Sequence, residues 1–240
     1  LSITKNVENL KKISGVELLA VVKADAYGHG LVPVAHAALS AGADYLGVAL
    51  LEEAVALREA GITTPILAWL VQPGSDFSQA IALDIDIAAA SLKALSEIAA
   101  ASRRMQKKAR VHLEVDTGMT RGGFLAEWDQ LNSEHVKDVE IVGIFSHFAR
   151  ADEPEEKQNE EQLLRFNEMV ATLTSFGFTG VIKHLSNSAA TLKNSAAAFD
   201  MVRTGIAMYG FAYFLVHEVI IHQRIKMFTK SNNKYIKAIR

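Results

Sequence analysis

The chain has 240 residues and is 50% apolar, enough for one sizeable core and, at this length, for an α/β barrel folded as one domain. A net charge of −2 gives no bulk attraction to nucleic acid or to an acidic membrane surface, and the absence of cysteine excludes disulfides and thiol catalysis and favours a cytoplasmic protein. No uninterrupted apolar run approaches the roughly 18 residues of a membrane span, and residues 1–12 are polar and helical in pattern, so neither a span nor a leader is expected.

Short, β-branched apolar runs recur along the chain, each followed by a helical pattern. Strands are expected at 16–22, 45–48, 66–70, 85–88, 110–115, 139–145, 181–184 and 201–203. Helices are expected at 32–41, 52–60, 77–83, 91–105, 155–176 and 188–193, with a shorter one at 126–133. Strand and helix alternating eight times predict parallel pairing and, most simply, a closed (β/α)8 TIM-type barrel of the α/β class. An open doubly wound sheet is the structural alternative. It would carry a Gly-rich turn after its first strand, and Lys23-Ala24-Asp25-Ala26 is not such a turn. Residues 1–210 thus read as one barrel domain. Composition changes after Gly210: 211–221 is apolar, and from Arg224 onward there are six basic residues and no acid. Residues 211–240 are expected to form a divergent tail, too short for an ordinary second domain.

In a barrel the working side chains gather at the C-terminal ends of strands. The first strand runs into Lys23, followed by Ala24-Asp25-Ala26-Tyr27-Gly28-His29-Gly30. An amine where a buried strand meets a loop can lose its proton and attack a carbonyl. Small residues and glycines let a ligand approach the backbone. This context suits a lysine that holds an aldehyde cofactor as a Schiff base, with the Tyr27 hydroxyl on a phosphate. The plain alternatives are a surface lysine and a rim tyrosine.

On the fifth strand His112, Glu114 and Asp116 share one face. Buried parallel strands are usually apolar on both faces, so the barrel interior near its mouth is expected to be polar. Arg121 follows in the loop 117–123, where a guanidinium suits a carboxylate. An ion pair with Asp116 or Glu114 is the competing expectation. The sixth strand ends in Ser146-His147-Phe148 and the seventh in His184. With His112 and Glu114 these histidines suggest metal ligands, but the paired histidine spacing of many metal barrels is missing and no metal is expected. Asn187-Ser188 opens a helix, as ordinary caps do, and the same cap exposes N–H groups that attract phosphate. The eighth strand runs into Arg203-Thr204-Gly205-Ile206. There the amides of Gly205 and Ile206 suit a phosphate and Arg203 suits a ring nitrogen, or else a salt bridge to Asp200.

Taken together, these segments closely resemble the pyridoxal-phosphate-dependent alanine racemases. The matching pieces are Ala20-Val21-Val22-Lys23-Ala24-Asp25-Ala26-Tyr27-Gly28-His29-Gly30, Val115-Asp116-Thr117-Gly118-Met119 with Arg121, Ser146-His147-Phe148-Ala149, His184-Leu185-Ser186-Asn187-Ser188-Ala189-Ala190, and Val202-Arg203-Thr204-Gly205-Ile206-Ala207-Met208-Tyr209-Gly210. They fall in family order over roughly residues 5–210. The resemblance implies pyridoxal 5′-phosphate as cofactor, joined to Lys23, which also acts as one of two bases. It implies that Tyr27, Asn187, Ser188, Gly205 and Ile206 bind the cofactor, mainly at its phosphate, and that Arg203 faces the pyridine nitrogen. Arg121 is then expected to orient the substrate carboxylate, His147 to join the network behind the cofactor, and Trp69 to pack nearby. The implied reaction interconverts L- and D-alanine, supplying D-alanine for cell-wall peptidoglycan, in a cytoplasmic homodimer with a small amino-acid substrate and neither nucleic acid nor membrane as partner.

Two departures from the family are visible. Where many relatives carry a lysine modified to a carbamate, this chain has Glu114, which is expected to supply the same negative charge beside Arg121 without modification. The family also has a C-terminal β domain that supplies the tyrosine base of the opposite face, and residues 211–240 do not resemble its start. The chain is therefore expected to bind cofactor and to racemise poorly. A single-barrel pyridoxal-phosphate carrier without catalysis is the second reading; chain length favours it, while the Arg121 loop and the Arg203-Thr204-Gly205-Ile206 ending favour the racemase. A barrel decarboxylase is disfavoured by Arg203, where those enzymes place a carboxylate. An inactive fragment, with 211–221 covering the barrel floor or sticking to other chains, completes the set.

Overall fold

The computed structural model describes residues 2–72 and 74–210. Eight strands form one sheet: β1 (Glu17–Val21), β2 (Tyr45–Val48), β3 (Ile66–Ala68), β4 (Asp86–Ala89), β5 (Ala109–Glu114), β6 (Val139–Phe145), β7 (Ile182–His184) and β8 (Met201–Thr204). They are ordered β7-β6-β5-β4-β3-β2-β1-β8, and every ladder is parallel. The β7–β8 seam is held by Asp200 N donating to Lys183 O at 3.1 Å and Arg203 N donating to Ser186 O at 2.9 Å. The sheet is thus a nearly closed (β/α)8 barrel, as the alternating pattern predicts. The expected tail, 211–240, lies outside the described residues.

Most strand positions are buried because the sheet is covered on both faces, by helices outside and by side chains inside. Helices Ser2–Ser14, Leu31–Ser40, Leu51–Glu59, Ser78–Ala82, Leu92–Met105 and Lys157–Ser175 surround the sheet. The layer between sheet and helices is continuous and apolar, with Leu18, Leu46, Leu57, Ile66, Ile98, Val111 and Phe166 fully buried. A smaller cluster of Leu19, Val21, Tyr45, Leu67, Ala88, Phe145 and Met201 fills the barrel itself. Among the described residues no helix is long and apolar enough to cross a membrane.

Element ends differ from expectation by one or two residues, with local causes. Ser91 stays outside its helix because its Oγ accepts the Ala94 N–H at 3.1 Å, capping the first turn. The single short helix expected at 126–133 is instead a 3-10 turn, Trp128–Gln130, and a separate one-turn helix, Ser133–Val136, which Asn132 caps.

The largest departure follows β1. Ala24, Asp25, Ala26 and Tyr27 all adopt left-handed backbone angles, with φ between 52° and 55°. Four L-residues in that region form one turn of left-handed helix, at a cost of about 1–2 kcal/mol per residue. Neighbours hold the turn: Glu53 Oε1 accepts the Ala24 N–H at 2.5 Å, Ala26 N donates to Val22 O at 2.8 Å, and Asp25 Oδ1 accepts the Leu31 N–H at 2.7 Å.

Candidate active site

A cavity of about 600 Å³ opens at the C-terminal ends of the strands. Lys23, Tyr27, Trp69, Arg121, His147, Asn187, Ser188, Arg203, Gly205 and Ile206 all line it, together with Glu114. These are the residues singled out from the sequence, brought from seven separate chain segments to one rim. The volume suits a small cofactor with a small substrate.

Lys23 stands where the polypeptide leaves β1 for the left-handed turn. Its Nζ lies 5.9 Å from the centroid of the Tyr27 ring and makes no hydrogen bond or ion pair with any described residue. Tyr27 in turn packs on Tyr209, with ring centroids 4.9 Å apart, and Tyr209 Oη is anchored by donating to Val21 O at 3.0 Å. Burial raises the phenol pKa of Tyr27, which keeps its hydrogen available for donation.

The opposite side of the rim is built by β8 and the helix Ser188–Lys193. Asn187 caps that helix, its Oδ1 accepting the N–H groups of Ala189 and Ala190 at 3.1 Å each. Ser188 Oγ accepts from Gly205 N at 3.0 Å and from Ala207 N at 3.3 Å. Of the two amides expected to suit a phosphate, that of Gly205 donates to Ser188 Oγ. The Ile206 amide makes no hydrogen bond to a described residue. What Gly205 supplies is room: a Cβ there would stand 2.9 Å from Tyr27 Oη. Ser188, having accepted twice, has its own hydroxyl hydrogen to donate.

Arg203, only 6% exposed, forms no ion pair among the described residues. The expected alternative, a salt bridge to Asp200, does not form, because Asp200 pairs with Lys183 at 2.9 Å. The Arg203 guanidinium donates instead to neutral acceptors: from Nη1 to His184 O at 2.7 Å and His184 Nδ1 at 3.2 Å, and from Nη2 to Ser146 O at 2.6 Å, Leu185 O at 3.3 Å and His147 Nδ1 at 3.3 Å. Its Nε makes no hydrogen bond to a described residue. Burial lowers its pKa to about 10, Glu114 opposing and Arg121 reinforcing that fall, so the group stays a cation at neutral pH.

His147 is neutral. Burial, then the charges of Arg203, Arg121 and Lys23, push its pKa down to about 3. Glu114 moves the other way: burial raises its pKa, Arg203 and Arg121 partly offset this, and Asp116 adds to it. Arg121 forms no ion pair within 4 Å among the described residues, so neither expected partner is in contact. Asp116 is occupied by its own loop, accepting from Gly118 N at 2.9 Å and Thr120 N at 3.0 Å. No group of three or more His, Cys, Asp or Glu among the described residues is arranged to hold a metal ion.

Several residues that position this site escaped sequence reasoning. Gln162, fully buried on Lys157–Ser175, donates to Thr117 Oγ1 at 3.1 Å and His147 O at 2.9 Å and accepts from Ala149 N at 2.9 Å. Phe145 stacks on His184 at 4.9 Å and lies 5.4 Å beneath the Arg203 guanidinium. Asp86, Tyr45 and Arg110 lie deeper in the barrel, joined to His112. The only signal for them is polarity at strand positions that should be apolar.

The family profile described as alanine racemase, N-terminal domain, matches residues 2–212. An alanine racemase of Salinispora tropica is 46% identical over 215 residues, covering 87% of this chain and 58% of the relative. That of Mycobacterium tuberculosis is 44% identical over 216 residues, covering 87% of this chain and 56% of the relative. Among solved structures, alanine racemase from D-cycloserine-producing Streptomyces lavendulae superposes with a TM-score of 0.84 at 42% identity, over 87% of this chain and 56% of that one. The Bacillus anthracis enzyme with bound L-Ala-P gives a TM-score of 0.80 at 38% identity, over 88% of this chain and 56% of that one. The chain spans between 56% and 58% of the length of these relatives. On the barrel, the order of its motifs and these likenesses, the chain belongs to the alanine racemase family, whose N-terminal domain it contains.

Proposed function

We propose that the cavity binds pyridoxal 5′-phosphate and that the chain provides the cofactor-binding barrel of an alanine racemase. The carrying observation is that Lys23, Arg203 and Ile206 line one cavity while the Lys23 amine, the Arg203 Nε–H and the Ile206 amide have no hydrogen-bond partner among the described residues. Their chemistry fits that cofactor, an aldehyde for the amine, an unprotonated ring nitrogen for the guanidinium, and a phosphate for the amide. The hydroxyls of Tyr27 and Ser188 add two donors on the phosphate side.

The residues then divide the work. Tyr27, Ser188 and Ile206 hold the phosphate, with Asn187 fixing the helix start and Gly205 leaving room. Arg203 donates from Nε to the ring nitrogen; an arginine does not readily give up that proton, so the ring stays unprotonated and a moderate electron sink. When bound through its aldehyde, the cofactor withdraws electrons from the substrate nitrogen and so acidifies the α-hydrogen. Lys23 takes or returns that proton on one face. Arg121 pairs with the substrate carboxylate, Glu114 supplies negative charge beside it, neutral His147 accepts from Arg203, and Trp69 closes the wall. Alanine as substrate, D-alanine for peptidoglycan as product, a homodimer and a cytoplasmic location accompany this reading.

Adding pyridoxal phosphate to the purified chain, then borohydride, tests it. A reduced adduct on Lys23 by peptide mass spectrometry supports the reading, and an adduct elsewhere or none overturns it. A coupled D-alanine assay on the same sample reads racemisation itself: Lys23 serves only one face, so slow exchange or none is expected from residues 1–240 alone.

A further inference from the structure

Arg203 is a buried cation without a carboxylate in contact, an arrangement that needs compensation from elsewhere. A continuous run of hydrogen bonds leads from it across the barrel. Arg203 Nη1 meets His184 Nδ1 at 3.2 Å, His184 Nε2 meets His112 Nδ1 at 2.9 Å, and His112 Nε2 meets Asp86 Oδ2 at 3.3 Å. His184, His112 and Asp86 are all fully buried. Arg110 Nε grips Asp86 Oδ1 at 2.6 Å, and the Tyr45 hydroxyl donates to Oδ2.

The direction of each bond is fixed by its ends. A guanidinium nitrogen only donates, so His184 accepts at Nδ1 and, being neutral, carries its proton on Nε2. That proton goes to His112 Nδ1, so His112 also carries its proton on Nε2. The run terminates on a group that only accepts, the Asp86 carboxylate, which hydrogen bonds from His112, Arg110 and Tyr45 keep ionised against its burial. An imidazolium at either histidine would set donor against donor. We propose that Asp86 is a positioning residue: through His112 and His184 it sets one direction of donation across the barrel, holding the Arg203 head so that Nε is the nitrogen left for the cavity. The functional part rests on the reading that the cavity binds pyridoxal phosphate; the tautomers do not.

The test uses the 240-residue chain, labelled with ¹⁵N, in long-range ¹H–¹⁵N spectra at pH 8. In the parent, His112 and His184 should both show the neutral Nε2–H tautomer. In Asp86→Asn, Arg110 holds the amide oxygen and the amide NH2 faces His112, which should switch to Nδ1–H. The apparent affinity for pyridoxal phosphate should fall about tenfold, the scale of one unmade buried hydrogen bond. Tyr45→Phe removes a partner of Asp86 outside the run; it should lower thermal stability and leave tautomers and affinity as they were. A merely structural Asp86 would give that same pattern in Asp86→Asn, and this overturns the proposal. An Nδ1–H tautomer or an imidazolium at either histidine of the parent overturns it as well, and decides the matter alone if Asp86→Asn does not fold. Failure of the parent to take up pyridoxal phosphate would count against the proposed function, while the tautomers still decide the relay.

Discussion

Gly143 lies against His112 so closely that a Cβ at 143 would stand 2.1 Å from His112 Nδ1. No side chain is tolerated there while the imidazole keeps its hydrogen bonds in the barrel centre. Gly143→Ala should therefore cost about 1–3 kcal/mol, the range for overpacked cores. Urea denaturation of the two proteins reads this directly. An unchanged midpoint would show that the His112 ring moves freely.

His147 makes stability depend on acid. Its folded pKa, about 3, lies below the ordinary value of 6.5, so the unfolded chain takes up a proton that the folded one refuses. The stability it contributes is present above 6.5 and drains away as the pH falls towards 3. His147→Asn should flatten that loss between pH 6 and pH 4, followed by denaturant midpoints. Some slope remains, because burial and then the Arg203 charge also hold His184 well below its ordinary value.

Glu114 acts in the opposite sense. Its raised folded pKa means that the stability it contributes is complete below the ordinary value of 4.5 and is lost as the pH rises through the raised one. Glu114→Gln should melt higher than the parent at pH 8 and no differently at pH 4. On the racemase reading the same change removes the charge beside Arg121 and should raise KM for alanine. Equal melting temperatures at pH 8 would show that the carboxylate is well solvated.

Gln162 ties two loop segments, at Thr117 and at His147–Ala149, to one helix from a fully buried position. Gln162→Leu keeps most of the volume but strands the Ala149 N–H and the His147 carbonyl. A loss of about 2–4 kcal/mol is expected, since unmade buried hydrogen bonds cost about 1–3 kcal/mol each. Hydrogen exchange should rise first at Ala149. Protection there equal to the parent would show that another acceptor takes over.

The barrel and its rim are legible from sequence for a geometric reason. Parallel strands all end on one face, so Lys23, Arg121, His147 and Arg203, far apart in the chain, must converge once alternation fixes the fold. The left-handed turn is not legible. Nothing in Lys23-Ala24-Asp25-Ala26-Tyr27 specifies positive φ at two alanines; distant Glu53 contributes to it. Asp86 and Tyr45 read as the edges of strands, and their meeting with His112 depends on strand register and barrel closure. Gln162 reads as one more polar residue on an amphipathic helix, because helical periodicity does not show which polar residue a loop will cover.

The left-handed turn also couples the Lys23 amine to a second stretch of chain. Ala24 keeps its angles with the help of a carboxylate from the next βα unit, so the turn draws on a contact outside its own stretch of chain. Part of the setting of Lys23 is thus supplied by the helix Leu51–Glu59. On the racemase reading, a change in the second βα unit that withdraws Glu53 would therefore be felt at the amine that takes the aldehyde.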